Sequence, residues 1–252
     1  MIDMDKFVAR AIGSPSTNKH PMRLYLRGFM DIEYDLITHG QQHRPFESVC
    51  ELGIGGGGKQ NLWSRCGASL VLGIDIIDPD DREKWGDWYD RDWDISQSNL
   101  LPGIHYVWNT NGYDPDTPKK IGLKFDIVLD DSDTNVIWNK SFNNKHAVIN
   151  TWQDWITDGG LFITETPNGQ DQDSPEPRPL EAHMPAFEYL ASTGMVIFDT
   201  TKLAQPLTTD VMANGRTAYH LGVWTRNWDD YRPVMERYKD YIVAGYKNVF
   251  DD

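Results

Sequence analysis

The chain has 252 residues, with 38 acidic against 24 basic side chains and a formal net charge of −14 at pH 7. This length is enough for one α/β domain with a full hydrophobic core. The negative charge argues against a nucleic acid as the main partner, because phosphate contacts need clustered Lys and Arg. No apolar run approaches membrane-spanning length and no signal-peptide core begins the chain. We therefore expect a cytoplasmic protein with no membrane partner.

The first 45 residues predict helices. Residues 1–12 have the pattern of a short amphipathic helix, and residues 22–39 have that of a longer one. Pro45 then separates these helices from the first strand. We expect a helical extension over residues 1–45, followed by one domain over residues 46–252. Whether the extension packs on its own chain or on a second copy is left open.

Strands and helices alternate along the rest of the chain, which predicts a parallel sheet with helices on both faces. The last two strands are joined by an irregular segment, which favours an antiparallel pair at the sheet edge. A closing helix is predicted over residues 229–248. The predicted strands are residues 46–52, 69–75, 103–108, 124–130, 159–165, 195–199 and 218–225, and the helices between them are residues 58–66, 136–157 and 180–193.

A glycine-rich motif, Glu51-Leu-Gly-Ile-Gly-Gly-Gly-Gly58, follows the first predicted strand. Glycines let the backbone turn tightly and approach a ligand closely. An acidic residue just before them suits a nucleoside cofactor that carries a cation. The next strand leads into Asp75, 24 residues after Glu51, where a carboxylate can accept both hydroxyls of a ribose. Together the two motifs predict half of a nucleotide-binding crevice.

Polar or acidic residues stand at the ends of five predicted strands. Buried carboxylates are costly unless they are paired, hydrogen-bonded or bound to a cation, so a ligand cation or a metal is expected to neutralise them. For the two asparagines among them, turn formation is the alternative to a contact with the ligand. These residues are Glu51, Asp75, Asn109 with Asn111, Asp130 with Asp131, and Glu165.

The motifs resemble those of class I S-adenosylmethionine-dependent methyltransferases. Glu51-Leu-Gly-Ile-Gly55 matches the acidic-x-Gly-x-Gly loop of that family, Gly73-Ile-Asp75-Ile76 its second-strand acid, and Phe125–Asp131 its fourth strand. The resemblance covers about residues 46–225. It implies a Rossmann-like three-layer α/β sandwich, with a mostly parallel seven-stranded sheet and an antiparallel final strand, and S-adenosyl-L-methionine as cofactor. The implied cofactor-binding residues are Glu51, Gly53, Gly55, Asp75, Ile76, Asn109, Asn111 and Asp130.

A narrower resemblance is to the branch of macrolide-sugar O-methyltransferases and their cephalosporin hydroxylase-like relatives. It implies methylation of a hydroxyl on a small-molecule acceptor such as a sugar, with Mg²⁺ held by Asp131 and Glu165. Relatives in this branch often assemble through their N-terminal helices, which implies a homo-oligomer. Thr166 stands where the branch has a second metal-binding acid.

The catalytic base of that branch does not carry over. Ser132-Asp133-Thr134 replaces its Gly-Ser-His, and Thr134 cannot act as a base. Either another group serves, namely His183, Asp133 or His146, or the reaction differs. We take Asp131 and His183 as the candidate catalytic residues.

Two other readings of the glycine motif stay open. Gly53-x-Gly55-x-x-Gly58 also satisfies the dinucleotide fingerprint of dehydrogenases. Glu51, the long segment before the first strand and the antiparallel ending all argue against that reading. The missing Gly-Ser-His favours a non-catalytic cofactor-binding or scaffold protein that has kept the fold.

Overall fold

The computed structural model describes residues 1–13, 22–54, 59–76, 101–130, 153–167, 184–199 and 219–250. Within these ranges, eight strands form one sheet in the order β3-β2-β1-β4-β5-β7-β6-β8. The strands are β1 (Ser48–Leu52), β2 (Leu70–Ile74), β3 (Ile104–Val107), β4 (Phe125–Asp130), β5 (Ile156–Pro167), β6 (Val196–Asp199), β7 (Tyr219–Trp224) and β8 (Ile242–Ala244).

Helices flank the sheet. A 3₁₀ turn at Lys239–Tyr241 leads into β8. The helices are α1 (Met4–Gly13), α2 (Met22–His43), α3 (Lys59–Arg65), α4 (Thr117–Ile121), α5 (Met184–Ser192), α6 (Trp228–Arg237) and α7 (Tyr246–Phe250). Of these described helices, none has the length and apolarity that a membrane span requires.

The predicted fold class is confirmed. Strands β1 to β5 pair in parallel, and β7 runs antiparallel to both β5 and β6. All six side chains of β4 are buried, as expected for a central strand covered on both faces. Alternate residues of each strand point to opposite faces and enter two separate hydrophobic cores, which makes the structure a three-layer sandwich.

The N-terminal helices contribute to the first of these cores. Phe7 of α1 stacks on Trp63 of α3, with ring centroids 4.1 Å apart. Ile32, Leu36 and Ile37 form the buried stripe of α2 and are fully buried in the same core as the strands. The helices therefore pack against their own chain, while the domain boundary at residue 45 stays a prediction.

Three predictions about the last part of the sheet are wrong. The pair β6 and β7 does not form the edge, because β8 pairs with β6 and makes an eighth strand. The single closing helix over 229–248 is broken, because its middle forms β8 and Gly245 adopts a left-handed conformation with φ of 92°. The helix predicted to reach residue 157 ends earlier, since β5 begins at Ile156; residues 136–152 lie outside the described ranges.

Candidate functional site

The carboxyl ends of five strands meet at one edge of the sheet. Strand pairing places one residue from each of β1 to β5 in a single row across the sheet. In open α/β sheets, ligands bind in the crevice outside such an edge. The row consists of Val107, Ile74, Leu52, Asp130 and Thr164.

The turn after β1 is tight and crosses close to β2. Gly53 has a left-handed φ of 76°, which a glycine adopts without strain, and its N–H donates to the carbonyl oxygen of Ile74 at 2.8 Å. Gly73 on β2 is equally confined, since an added Cβ would lie 2.9 Å from the ring of Tyr106. The predicted glycine turn therefore begins here, while Gly55 lies outside the described residues.

Glu51 lies beneath this turn rather than in open solvent. Its side chain is 1% exposed, and its Oε2 accepts a hydrogen bond from Nε2 of Gln60 at 2.5 Å. Gln60 belongs to α3, the helix that follows the glycine segment. The carboxylate is thus held between the end of β1 and the first turn of α3.

Asp75 and Ile76 form a polar and an apolar surface side by side. Asp75 is 7% exposed, while Ile76 is 59% exposed. The backbone of Asp75 is fixed on both sides, because its N–H donates to the Val107 carbonyl at 3.1 Å and its carbonyl accepts from the Thr110 N–H at 2.9 Å. This pair offers a carboxylate for hydroxyl groups and an exposed apolar side chain for a flat ring.

The two asparagines after β3 shape the neighbouring loop. Asn109 is exposed and adopts a left-handed conformation with φ of 53°, which asparagine tolerates better than most residues. Oδ1 of Asn111 accepts the backbone N–H of Tyr113 at 3.0 Å. The Asn111 side chain therefore makes a turn, and the cofactor contacts of both asparagines stay predictions.

Asp130, at the end of β4, ties three segments together. Its side chain is 1% exposed. Oδ1 accepts the hydroxyl hydrogen of Tyr113, and Oδ2 accepts that of Thr164 at 2.7 Å. The β3–α4 loop is further anchored by Trp155, whose Nε1–H donates to the carbonyl of Gly112 at 3.1 Å. Asp130 thus holds this loop and β5 against β4, at the same edge as Asp75.

The remaining predicted site residues have less definition. Asp131 and His183, the candidate catalytic residues, lie outside the described ranges. Glu165 is placed by its backbone, which pairs with Leu221 beyond the row of strand ends. No group of three or more His, Cys, Asp or Glu side chains that could hold a metal occurs in the part of the chain that the structure describes. The metal site predicted on Asp131 and Glu165 therefore has no described geometry.

Sequence reasoning missed the partners of the two buried acids. Gln60, Tyr113 and Thr164 all bond to Glu51 or Asp130. A polar residue soon after the glycines, and Thr164 beside the predicted end of a strand, were signals for two of them. Tyr113 lies 17 residues from Asp130 in the chain, and no sequence spacing announces that contact.

Comparison with known proteins supports the fold alone. No family model matches the chain, and no curated protein matches it. Among solved structures, it is similar to the N-methyltransferase NodS from Bradyrhizobium japonicum (9% identity, 78% of this chain and 94% of that chain, TM-score 0.48). It is also similar to a TehB-like methyltransferase from Corynebacterium glutamicum (15%, 76% and 86%, 0.43) and to fibrillarin from Aeropyrum pernix bound to S-adenosyl-L-methionine (13%, 71% and 66%, 0.45).

Proposed function

We propose that the chain is an S-adenosylmethionine-dependent methyltransferase. One observation carries the proposal: a nearly buried carboxylate, Asp75, lies at the end of β2 beside the exposed Ile76 and the left-handed turn at Gly53. In this proposal Asp75 accepts the ribose hydroxyls, and Ile76 covers one face of the adenine. A cofactor bound here would lie at the edge where open α/β sheets bind their ligands.

The residues at this edge suit a cationic nucleoside. When bound, S-adenosyl-L-methionine supplies a methyl group that is attacked in line by the acceptor. Such a displacement asks the protein chiefly to position two reactants. Glu51 would offset the positive charge of the cofactor, because charges attract strongly where water is largely excluded. Asp130, tied to Tyr113 and Thr164, would keep the walls of the crevice in place.

The proposed acceptor is a hydroxyl group on a small molecule such as a sugar. The net charge of −14 supports this class over a nucleic acid. Asp131 and His183 are the proposed catalytic residues. Mg²⁺ on Asp131 and Glu165 is a further hypothesis, since carboxylate oxygens are the ligands this ion prefers. Two free, buried cysteines support a reducing, cytoplasmic location.

Calorimetric titration tests the cofactor. We expect the purified protein to bind S-adenosyl-L-methionine and S-adenosyl-L-homocysteine, and Asp75→Ala to weaken both by at least about 30-fold, because two hydrogen bonds to a charged group are lost. The matched control is Asp229→Ala, which removes an 86% exposed carboxylate from α6 and should bind normally. No binding by the wild type would overturn the proposal.

The same titration separates the metal and scaffold hypotheses. If Mg²⁺ takes part, a chelator should lower methyl transfer to the acceptor, and Asp131→Ala should no longer respond to the ion. The replacement of Gly-Ser-His by Ser132-Asp133-Thr134 favours a protein that binds the cofactor without turnover. Cofactor binding with no methyl transfer to any of a broad panel of hydroxyl acceptors would favour that alternative.

A further inference from the structure

Gln60 is a buried amide with only one of its two ends bonded. Its side chain is completely buried, at 0% exposure. Nε2 donates to Glu51, but Oε1 has no hydrogen-bond partner among the described residues. A buried acceptor left unpaired costs about 1–3 kcal/mol, so a donor is expected at this position.

The orientation of the amide is determined by Glu51. If the amide were flipped, Oε1 would face the carboxylate oxygen, and the hydrogen bond would become a repulsion between two acceptors. The carboxylate therefore holds Nε2 toward itself and leaves Oε1 directed elsewhere. The unpaired oxygen is a consequence of the Glu51 contact and not of a free choice between two equivalent orientations.

Glu51 and Gln60 lie on either side of the glycine segment. Glu51 is the fourth residue of β1, and Gln60 is the second residue of α3. Together they present a carboxylate and an amide carbonyl, which are both acceptors. A negative charge with a neighbouring neutral acceptor suits a cation that carries several N–H donors, and a primary ammonium group has three of them.

We propose that Gln60 and Glu51 form a binding site for a primary ammonium group, supplied by the amino-acid end of the nucleoside cofactor. This inference rests on the proposed function. It assigns to Gln60 the task of distinguishing a ligand with an α-ammonium group from the same ligand without it. A hydrogen bond to a charged group contributes more than one between neutral groups, so the discrimination should be large.

A buried water is the competing explanation. Nε1 of Trp63, three residues further along α3, is also buried without a partner among the described residues. Residues three apart share one side of a helix, so a single water could donate to Gln60 and accept from Trp63. This water would satisfy both groups whether or not a ligand is bound.

Calorimetry with two ligands distinguishes these explanations. The probes are S-adenosyl-L-homocysteine and its deamino analogue, which lacks only the α-amino group. The wild type should prefer the amino compound by about 10–100-fold. Gln60→Leu should lose most of this preference by weakening the amino compound selectively. The matched control, Gln41→Leu, removes a glutamine that bonds to the backbone of Ile2 instead, and it should keep the wild-type ratio.

Each other outcome has a distinct meaning. An unchanged ratio in Gln60→Leu, with both ligands weakened equally, would overturn the inference and indicate a structural role or the buried water. A wild type that binds both ligands equally would overturn it as well, even if Gln60→Leu fails to fold. A wild type that binds neither ligand would overturn the proposed function itself.

Discussion

Asp126, the second residue of β4, holds the other edge of the sheet together. Its Oδ2 accepts the backbone N–H groups of Glu47 and Ser48 at 2.9 and 3.0 Å. Its Oδ1 accepts from Arg44 and from Thr157, each at 3.0 Å. The carboxylate therefore joins the end of α2, the start of β1 and the start of β5, at the amino ends of the strands and away from the candidate site.

Replacing Asp126 by Ala should destabilise the protein by about 3 kcal/mol, because the change leaves buried N–H groups and the Arg44 charge without their acceptor. Urea unfolding followed by circular dichroism measures the loss. The matched control is Asp158→Ala, whose carboxylate is 94% exposed and 3.8 Å from Arg226; it should cost less than about 0.5 kcal/mol. Equal effects in the two variants would contradict this assignment.

Tyr231 makes the stability depend on alkaline pH. Burial raises the pKa of its hydroxyl above the ordinary value of 10.0, and the hydroxyl donates to the carbonyl of Gly159 at 3.0 Å. Burial, followed by a hydrogen bond to Asp35, likewise raises the pKa of Tyr238. The folded state holds these protons more tightly than the unfolded chain does. Their stabilisation is therefore complete below about pH 10 and declines as the pH rises further.

The free energy of unfolding should fall between pH 10 and 11.5 in the wild type, and it should fall less steeply in Tyr231→Phe. At neutral pH the variant should be less stable by about 1 kcal/mol, since the Gly159 carbonyl loses its donor. Urea unfolding at several pH values provides the comparison. Identical pH slopes in the two proteins would show that Tyr231 does not titrate differently in the folded state.

At the scale of the residue, the sequence indicated which groups stand at the strand ends but not what they touch. Asp75 and Asp130 were identified because each closes an apolar run, and the structure places both at the carboxyl edge. The contacts of Asp130 with Tyr113 and Thr164 depend on how a loop and two strands meet. Such contacts join residues far apart in the chain, so no local pattern records them.

Among the secondary-structure elements, β8 is the one that local patterns misassigned. Residues 229–248 carry regularly spaced tyrosines that predict a single helix, yet Ile242–Ala244 pairs with β6. The left-handed φ of Gly245 sets the chain on its new course. A Cβ at this position would collide with the carbonyl oxygen of Met195, so the turn packs directly on the backbone of the sheet.

Gly245→Ala should therefore destabilise the protein by at least about 2 kcal/mol, from backbone strain and the collision together. Gly122→Ala is the matched control. Gly122 also has a left-handed conformation, with φ of 69°, but nothing lies within 4 Å of its added Cβ, so only the strain of about 1 kcal/mol remains. Thermal and urea unfolding of both variants test the difference. Equal losses would mean that the contact with Met195 is unimportant.

Across the molecule, one sheet separates two cores, and both cysteines are buried in them. Cys50 is 0% exposed and Cys66 is 2% exposed. Burial, and then the negative charge of Glu51, raise the pKa of the Cys50 thiol well above its ordinary range. The nucleophilic thiolate is thus disfavoured at Cys50, and reagents reach neither thiol without an opening of the structure.

Both thiols should react with a disulfide reagent about a hundredfold more slowly in the native protein than in denaturant, because modification requires at least local opening. The rate is followed by absorbance, with the denatured protein as the reference for two reactive groups. Rapid modification of one thiol in the native protein would show that a core is open near that cysteine. Binding of the cofactor should slow the reaction of Cys50 further if the site forms beside Glu51.

The sequence by itself determined the fold class of this protein and the edge of the sheet where its polar residues gather. Those features depend on local information: apolar runs that form buried strands, glycines that permit a turn, and acids that end a strand. Strand ends predicted for β1, β2 and β4 lie within one residue of those in the structure. Hydrophobic periodicity suffices for such elements because burial on both faces leaves them little alternative.

Only the tertiary structure decided which side chains satisfy the buried acids, and how the sheet ends. Glu51 found its partner across the glycine segment, Asp130 across a loop and a neighbouring strand, and Asp126 across two strands and a helix. Residues 242–244 became a strand because β6 offered an unpaired edge to bond with. Hydrogen-bond partners and edge pairing depend on distances between remote segments, and those distances exist only once the chain has folded.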